Sequence, residues 1–143
     1  MQTSFENKVV LITGATSGIG KISALAFAKA GAKVIVSGRR EAEGQAVVAE
    51  IKAAGGEATF VKADVAKEAD VSALVAKTVE TYGRIDVAFN NAGVELTGPI
   101  VDINEADYRR TFDINVWGVI TSMKRQVHLL SIALGLIYRP APY

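Results

Sequence analysis

Short, continuously apolar runs alternate along this chain with longer segments in which apolar residues recur every three or four positions. KVVLI at Lys8–Ile12 is apolar and β-branched, as a strand covered on both faces of a parallel sheet must be, and Thr13 closes it. AKVIVS at Ala32–Ser37 reads as a second buried strand. EATFVKADV at Glu57–Val65 contains a third, centred on Thr59–Lys62, and IDVAFNN at Ile85–Asn91 is a fourth. Between them the period lengthens. A helix is expected from Ile19 to about Lys29, stopped by Gly31, and another over Glu41–Ala54, with a charged outer face and Gly55-Gly56 behind it. Glu68–Tyr82 puts Val71, Leu74, Val75 and Val79 on one side before Gly83, and Glu105 to about Leu130 reads as one long helix with Asn104 as its cap. This alternation predicts an α/β fold, a doubly wound parallel sheet with helices on both faces. Right-handed crossovers place the first three strands in the order 3-2-1 and the fourth beside the first. A ligand crevice is then expected where the order reverses, at the carboxyl ends of strands 1 and 4.

Composition narrows the field. The chain has 143 residues, half of them hydrophobic, which is enough for one domain with a real core. Sixteen basic residues balance fifteen acidic ones, so a dedicated nucleic-acid surface is not expected. There is no cysteine, hence no disulfide framework and no thiolate metal site, and the single His128 reads as a helix-surface residue. The start, MQTSFENK, is polar rather than a signal pattern, and no run reaches the length of a membrane span. A cytoplasmic protein without membrane or metal partners is expected.

The most informative segment is the turn TGATSGIG, Thr13–Gly20, between the first strand and the first helix. Gly14 lets the backbone turn where a Cβ would clash, and Gly18 and Gly20 let a phosphate approach and the helix pack closely on the strand. Thr16 and Ser17 can cap the helix, which starts at Ile19 with its first amides pointing outward. Such a helix start attracts anions. A triphosphatase loop would need Gly-x-x-x-x-Gly-Lys-Ser/Thr; here Ile22 follows Lys21 and Ala15 stands five before Gly20, so that reading fails twice. A tight strand–helix connection without ligand is the bland alternative.

Together with NNAG at Asn90–Gly93 and an asparagine in the long helix at Asn115, the turn resembles the short-chain dehydrogenase/reductase family over roughly Lys8 to Lys124. The resemblance implies a Rossmann-like domain, a nicotinamide dinucleotide, and hydride transfer with a small alcohol or carbonyl substrate. It assigns the diphosphate to Gly14, Thr16, Ser17, Gly18, Ile19 and Gly20, and the adenosine ribose to the end of strand 2, at Ser37, Arg39 and Arg40. NAD-preferring members carry an acid there. Here Gly38 is followed by two arginines, whose guanidinium groups suit a 2′-phosphate, so NADP is expected over NAD. Solvation of the loop by the arginines, with Glu41 at the ribose, is the alternative. Asp64 and Val65 match the pair that meets the adenine; a turn-and-cap role is the alternative, since DVAKEAD leads into a helix, and the two roles are compatible. Asn91, Ala92 and Gly93 match the segment beside the cofactor, with Thr13 as hydrogen-bond partner, and Asn90 suits a structural role at the strand end. Asn115 matches the helix asparagine of the family's proton relay, its only catalytic position here, or else bonds backbone.

The rest of that catalytic set is not legible. The family uses a Tyr followed four residues later by a Lys, because a free phenol has a pKa of about 10 and needs a nearby cation to work at neutral pH. Four residues after Tyr82 stands Asp86, after Tyr108 Phe112, and after Tyr138 Pro142, while Tyr143 ends the chain. The family also uses an upstream serine to orient the substrate carbonyl, but Ser122 and Ser131 fall in or near the long helix, not after a fifth strand, and neither matches it. RQVHLLSIALGLIYRPAPY also lacks a glycine turn into such a strand. The expected organisation is an incomplete dinucleotide-binding domain over residues 1–124 and an atypical apolar tail over 125–143, as in a truncated, frame-shifted or shortened form. Its end is expected to cap the long helix or cover strand 4. An open edge and an apolar tail favour a homo-oligomer. Three outcomes follow: an oxidoreductase by family, a dinucleotide-binding or interaction module without turnover, or a chain that does not fold alone.

Overall fold

The centre of the molecule is the strand that the sequence marks as most apolar. In a computed structural model, which describes residues 4–133, β1 (Val9–Thr13) lies between β2 (Lys33–Gly38) and β4 (Val87–Asn90), and β3 (Glu57–Lys62) flanks β2. The order is β3-β2-β1-β4, all parallel, with Leu11 level with Ile35 on one side and Ala88 on the other. This is the expected doubly wound arrangement.

Alternation along the strands sorts side chains into two layers. Val10, Ile12, Val34 and Val36 pack with Ala24 and Ala28 of α1 (Gly18–Lys29) and with Val47, Val48 and Ile51 of α2 (Glu41–Ala53). Leu11 and Ile35 point the other way, onto Leu74 and Val75 of α3 (Glu68–Tyr82), Ile85, and Leu129 and Leu130 of the last helix. The buried side of α3 holds Val71, Leu74, Val75 and Thr78. Sequence periodicity put Val79 in that row. Thr78 joins it because its hydroxyl donates to the Leu74 carbonyl at 2.8 Å, so the polar group is satisfied inside the helix.

The expected long helix is real but not uniform. After a 3-10 turn (Ile100–Asp102), α4 (Glu105–Phe112) begins with Asn104 accepting from the Asp107 amide, as expected of a cap. A π turn over Asp113–Trp117 then interrupts the α pattern before α5 (Gly118–Ala133). Periodicity does not reveal such a turn, because it is a single turn long and its extra residue reads as an ordinary change between three- and four-residue steps of the apolar pattern. α5 passes through Lys124 without a break, and Leu129 and Leu130 beyond it pack on the Leu11 layer. The expectation that the last residues cap a helix or cover β4 falls on residues 134–143, outside the described residues.

Candidate functional site

At the carboxyl ends of β1, β2 and β4 the backbones diverge, and a cleft of about 350 Å³ opens there. Its floor is the glycine turn. Gly14 has φ +67°, and a Cβ on it would come within 2.8 Å of the Ala92 Cα. At Gly20 a Cβ would meet the Gly14 carbonyl oxygen at 2.3 Å and Asn91 Nδ2 at 2.6 Å. The turn, the start of α1 and the end of β4 therefore touch backbone to backbone, and only hydrogen atoms fit between them.

Asn91 fastens this contact. Its Nδ2 donates to the Thr13 carbonyl at 3.1 Å and the Gly14 carbonyl at 3.3 Å, while the Ala92 amide donates to Thr13 Oγ1 at 3.1 Å. Thr13 is thus the partner of the Asn91–Ala92 segment, as expected. Asn90 pairs reciprocally with Gln126, at 2.9 and 3.1 Å. Gln126 is 1% exposed, a buried amide that the sequence did not single out. Its only signal was that a polar strand end needs a partner, and nothing local names one 36 residues away.

Of the residues assigned from sequence, Gly14, Thr16, Ser17, Ile19, Ser37, Arg39, Arg40, Asp64, Val65, Asn91, Ala92 and Gly93 line the cleft. Gly18 and Gly20 shape the helix start. Gly38, which stands where NAD-preferring members carry an acid, lines it too; Ala63, Val94 and Ile114 also line it and were not singled out. Asn115, on the π turn, does not line it. Its Oδ1 accepts from the Val94 amide and its Nδ2 donates to the Val94 carbonyl, both at 2.8 Å. Both ends of the amide are spent on holding the chain beyond Gly93. Asp64 Oδ1 accepts from the Ala66 amide at 3.1 Å, and Asp70 accepts from the Asp64 amide at 2.9 Å, so a turn-and-cap role is present there.

One local expectation fails. Ser17 occupies the cap position of α1, but neither it nor Thr16 caps the helix. Both hydroxyls accept from Arg40 instead, and the charged donor outcompetes the neutral amides. The first amides of α1 are consequently left without a side-chain cap at the cleft.

The cavity suits a dinucleotide. Ser37 Oγ is buried, 1% exposed, lines the cleft, and has no hydrogen-bond partner. A buried hydroxyl without a partner costs free energy, so a polar ligand atom there would relieve it. At Gly18 nothing stands within 4 Å of where a Cβ would be, which leaves open space at the helix mouth. Uncapped amides, an orphan hydroxyl and two arginines meet on this wall, a combination whose chemistry suits an anion. Among the described residues no tyrosine lines the cleft. Tyr82 shares a 3.1 Å hydrogen bond with Thr59, and burial, with Glu57 adding to it, pushes its phenol up against the lowering effect of that bond. A phenol so placed is the opposite of a cation-activated base. Among the described residues no cluster of three or more His, Asp or Glu could hold a metal, and no helix is long and apolar enough to cross a membrane.

Comparison with known proteins agrees with the geometry. The profile of the short chain dehydrogenase family matches residues 8–134. The chain is 46% identical over 130 residues to an uncharacterized oxidoreductase of Thermotoga maritima, covering 86% of this chain and 51% of that protein. It is 40% identical over 134 residues to a 3beta-hydroxysteroid dehydrogenase of Mediterraneibacter gnavus, covering 93% of this chain and 49% of that one. The crystal structure of a hydroxysteroid dehydrogenase from Escherichia coli superposes with a TM-score of 0.83 at 35% identity, covering 87% of this chain and 53% of its own. The chain spans about half the length of the curated relatives it matches. With its parallel sheet, its glycine turn braced on NNAG and this match over most of its length, the chain belongs to the short-chain dehydrogenase/reductase family, whose members bind a nicotinamide dinucleotide.

Proposed function

We propose that this chain is the dinucleotide-binding part of an NADP(H)-dependent oxidoreductase that acts on an alcohol or carbonyl substrate. The observation that carries the reading is the cleft, where the uncapped start of α1, the orphan Ser37 hydroxyl and the Arg39–Arg40 pair converge. When bound, the nicotinamide supplies or accepts a hydride. The chain's own residues bind and orient: the α1 amides and the Thr16 and Ser17 hydroxyls hold the diphosphate. Asp64 and Val65 hold the adenine, and Asn91–Gly93 line the way to the reacting end. Arg39 favours NADP, since it lines the cleft and makes neither hydrogen bond nor ion pair among the described residues, leaving its guanidinium to a 2′-phosphate. Glu41, the rival ribose partner, lies 3.8 Å from Lys62 and does not line the cleft.

Asn115 keeps the family's relay position while bonding Val94, so its part is to fix the loop over the site. None of the four tyrosines has a lysine four residues on, which favours binding without turnover by these 143 residues alone. A cytoplasmic location goes with this reading. The test is to mix the chain with NADPH and a panel of ketones and aldehydes. NADPH should bind, more tightly than NADH, and its absorbance should stay constant. Oxidation of NADPH, or tighter binding of NADH, would overturn the corresponding part.

A further inference from the structure

The two arginines after β2 are not doing the same thing. Arg40 reaches back to the glycine turn, where its Nη2 donates to Thr16 Oγ1 at 3.0 Å and to Ser17 Oγ. Its Nη1 lies 3.6 Å from Glu43. Arg39, by contrast, is uncommitted among the described residues. A guanidinium has only donors, so Thr16 and Ser17 must act as acceptors toward Arg40 and keep their own O–H protons to give away. Neither hydroxyl donates to any acceptor among the described residues, and both residues line the cleft.

We propose that Arg40 is a positioning residue for the phosphates of a dinucleotide: by donating to Thr16 and Ser17 it turns both hydroxyls into donors for the diphosphate, while Arg39 alone reads the ribose phosphate. This rests on the dinucleotide reading given above. Donation by a charged group polarises each hydroxyl and strengthens the bond it makes in turn. Arg40 also brings its positive charge beside the helix mouth, where it adds to the attraction for an anion.

The end of β2 is locked into the same element. A Cβ on Gly38 would lie 2.7 Å from Thr16 Cγ2, so the threonine methyl already fills the place where a side chain at position 38 would begin. Thr16 is thus held between Gly38 and Arg40. An acidic residue at position 38, the usual way to select NAD, would have to push Thr16 aside and break its bond to Arg40. Gly38→Asp alone is therefore expected to weaken NADPH without gaining NADH, and a gain for NADH requires Thr16→Gly as well.

The test is equilibrium titration of the full chain with NADPH and NADH, read by cofactor fluorescence. Arg40→Ala should weaken both cofactors by the same factor, about ten-fold, as expected for the loss of charge-assisted hydrogen bonds. Arg39→Ala should weaken NADPH by about ten-fold or more and leave NADH within about two-fold. In a Thr16→Val/Ser17→Ala background, Arg40→Ala should cost clearly less than it does in the wild type, because the hydroxyls it acts through are gone and only its charge is left to lose. Arg40→Lys, which keeps the charge and loses the forked donor, should fall between wild type and alanine, and it serves as well if the alanine variant loses its circular dichroism. The proposal is overturned if Arg40→Ala weakens NADPH alone, tightens either cofactor, has no effect, or keeps its full cost without the two hydroxyls. A wild-type chain that binds neither cofactor overturns the dinucleotide reading and this proposal with it. One that binds both while the Arg40 series disagrees overturns only the role of Arg40.

Discussion

β1 and β4 lie side by side in one sheet, yet β1 is buried along its whole length and β4 is only half-buried. The difference follows from neighbours. β1 has a strand on each edge and helices over both faces, whereas β4 pairs with β1 alone among the described residues. The helices that follow β4 repeat the contrast, leaving Tyr108, Phe112, Val116, Ile120, Met123 and Val127 exposed at helical spacing. The glycine turn, the cap-free start of α1 and the β2 arginines all sit on the packed side. What the two regions teach is that the residues proposed to hold a dinucleotide rest on a core that closes around β1. Among the described residues the β4 side offers apolar surface and a strand edge without a second neighbour, the condition that favours self-association.

The comparison can be broken hardest at the turn. Gly20→Val puts a side chain into the Gly14 carbonyl and Asn91, and about 3 kcal/mol or more should be lost together with cofactor binding. Urea denaturation with and without NADPH checks both. Leu11→Ala empties a fully buried site on β1 and should cost about 3 kcal/mol in the same assay. If it costs no more than a change on the exposed stripe, the packed side is not what it looks like.

Asp86, which leads into β4, accepts from the Val9 amide at 2.9 Å and pairs with Arg84 and Lys8. Burial pushes this carboxyl up, but the amide bond and the two cations together outweigh burial and hold it below the usual carboxylate range. A depressed folded-state pKa means stability that is present above the ordinary carboxylate pKa of about 4 and lost as pH falls through the lower folded value. Asp86→Asn should remove about 1 kcal/mol near neutral pH and flatten the acid limb of the urea midpoint against pH. A variant with the wild-type acid limb would take Asp86 out of the account. Smallest of all, Met123→Ser on the exposed stripe should change stability by less than about 0.5 kcal/mol. It should still shift the sedimentation profile toward monomer, whereas a wild-type chain already monomeric at high concentration would remove the partner-seeking role of that face.

Much of the packed side could be read from residues alone. Runs of Val and Ile announce strands buried on both faces, so β1 to β4 and their order followed from pattern and crossover handedness. The glycines announced close backbone approach, and Thr13 was correctly matched with the NNAG segment. What stayed hidden depends on distant partners. Whether Thr16 and Ser17 cap a helix or face an arginine turns on Arg40, more than twenty residues away. Gln126 gives no local sign that it will pair with Asn90, and the π turn that carries Asn115, bonded to Val94, reads as an ordinary change of step in the hydrophobic pattern.

The most direct measurement is a thermal unfolding scan of the full chain with and without NADPH. Ligand bound only to the folded cleft adds about 2.7 kcal/mol at a hundred times its dissociation constant, so the midpoint should rise by several degrees and keep rising with concentration. A midpoint that stays put at millimolar NADPH and NADH alike would contradict the claim that the mouth of α1 is built to hold a dinucleotide.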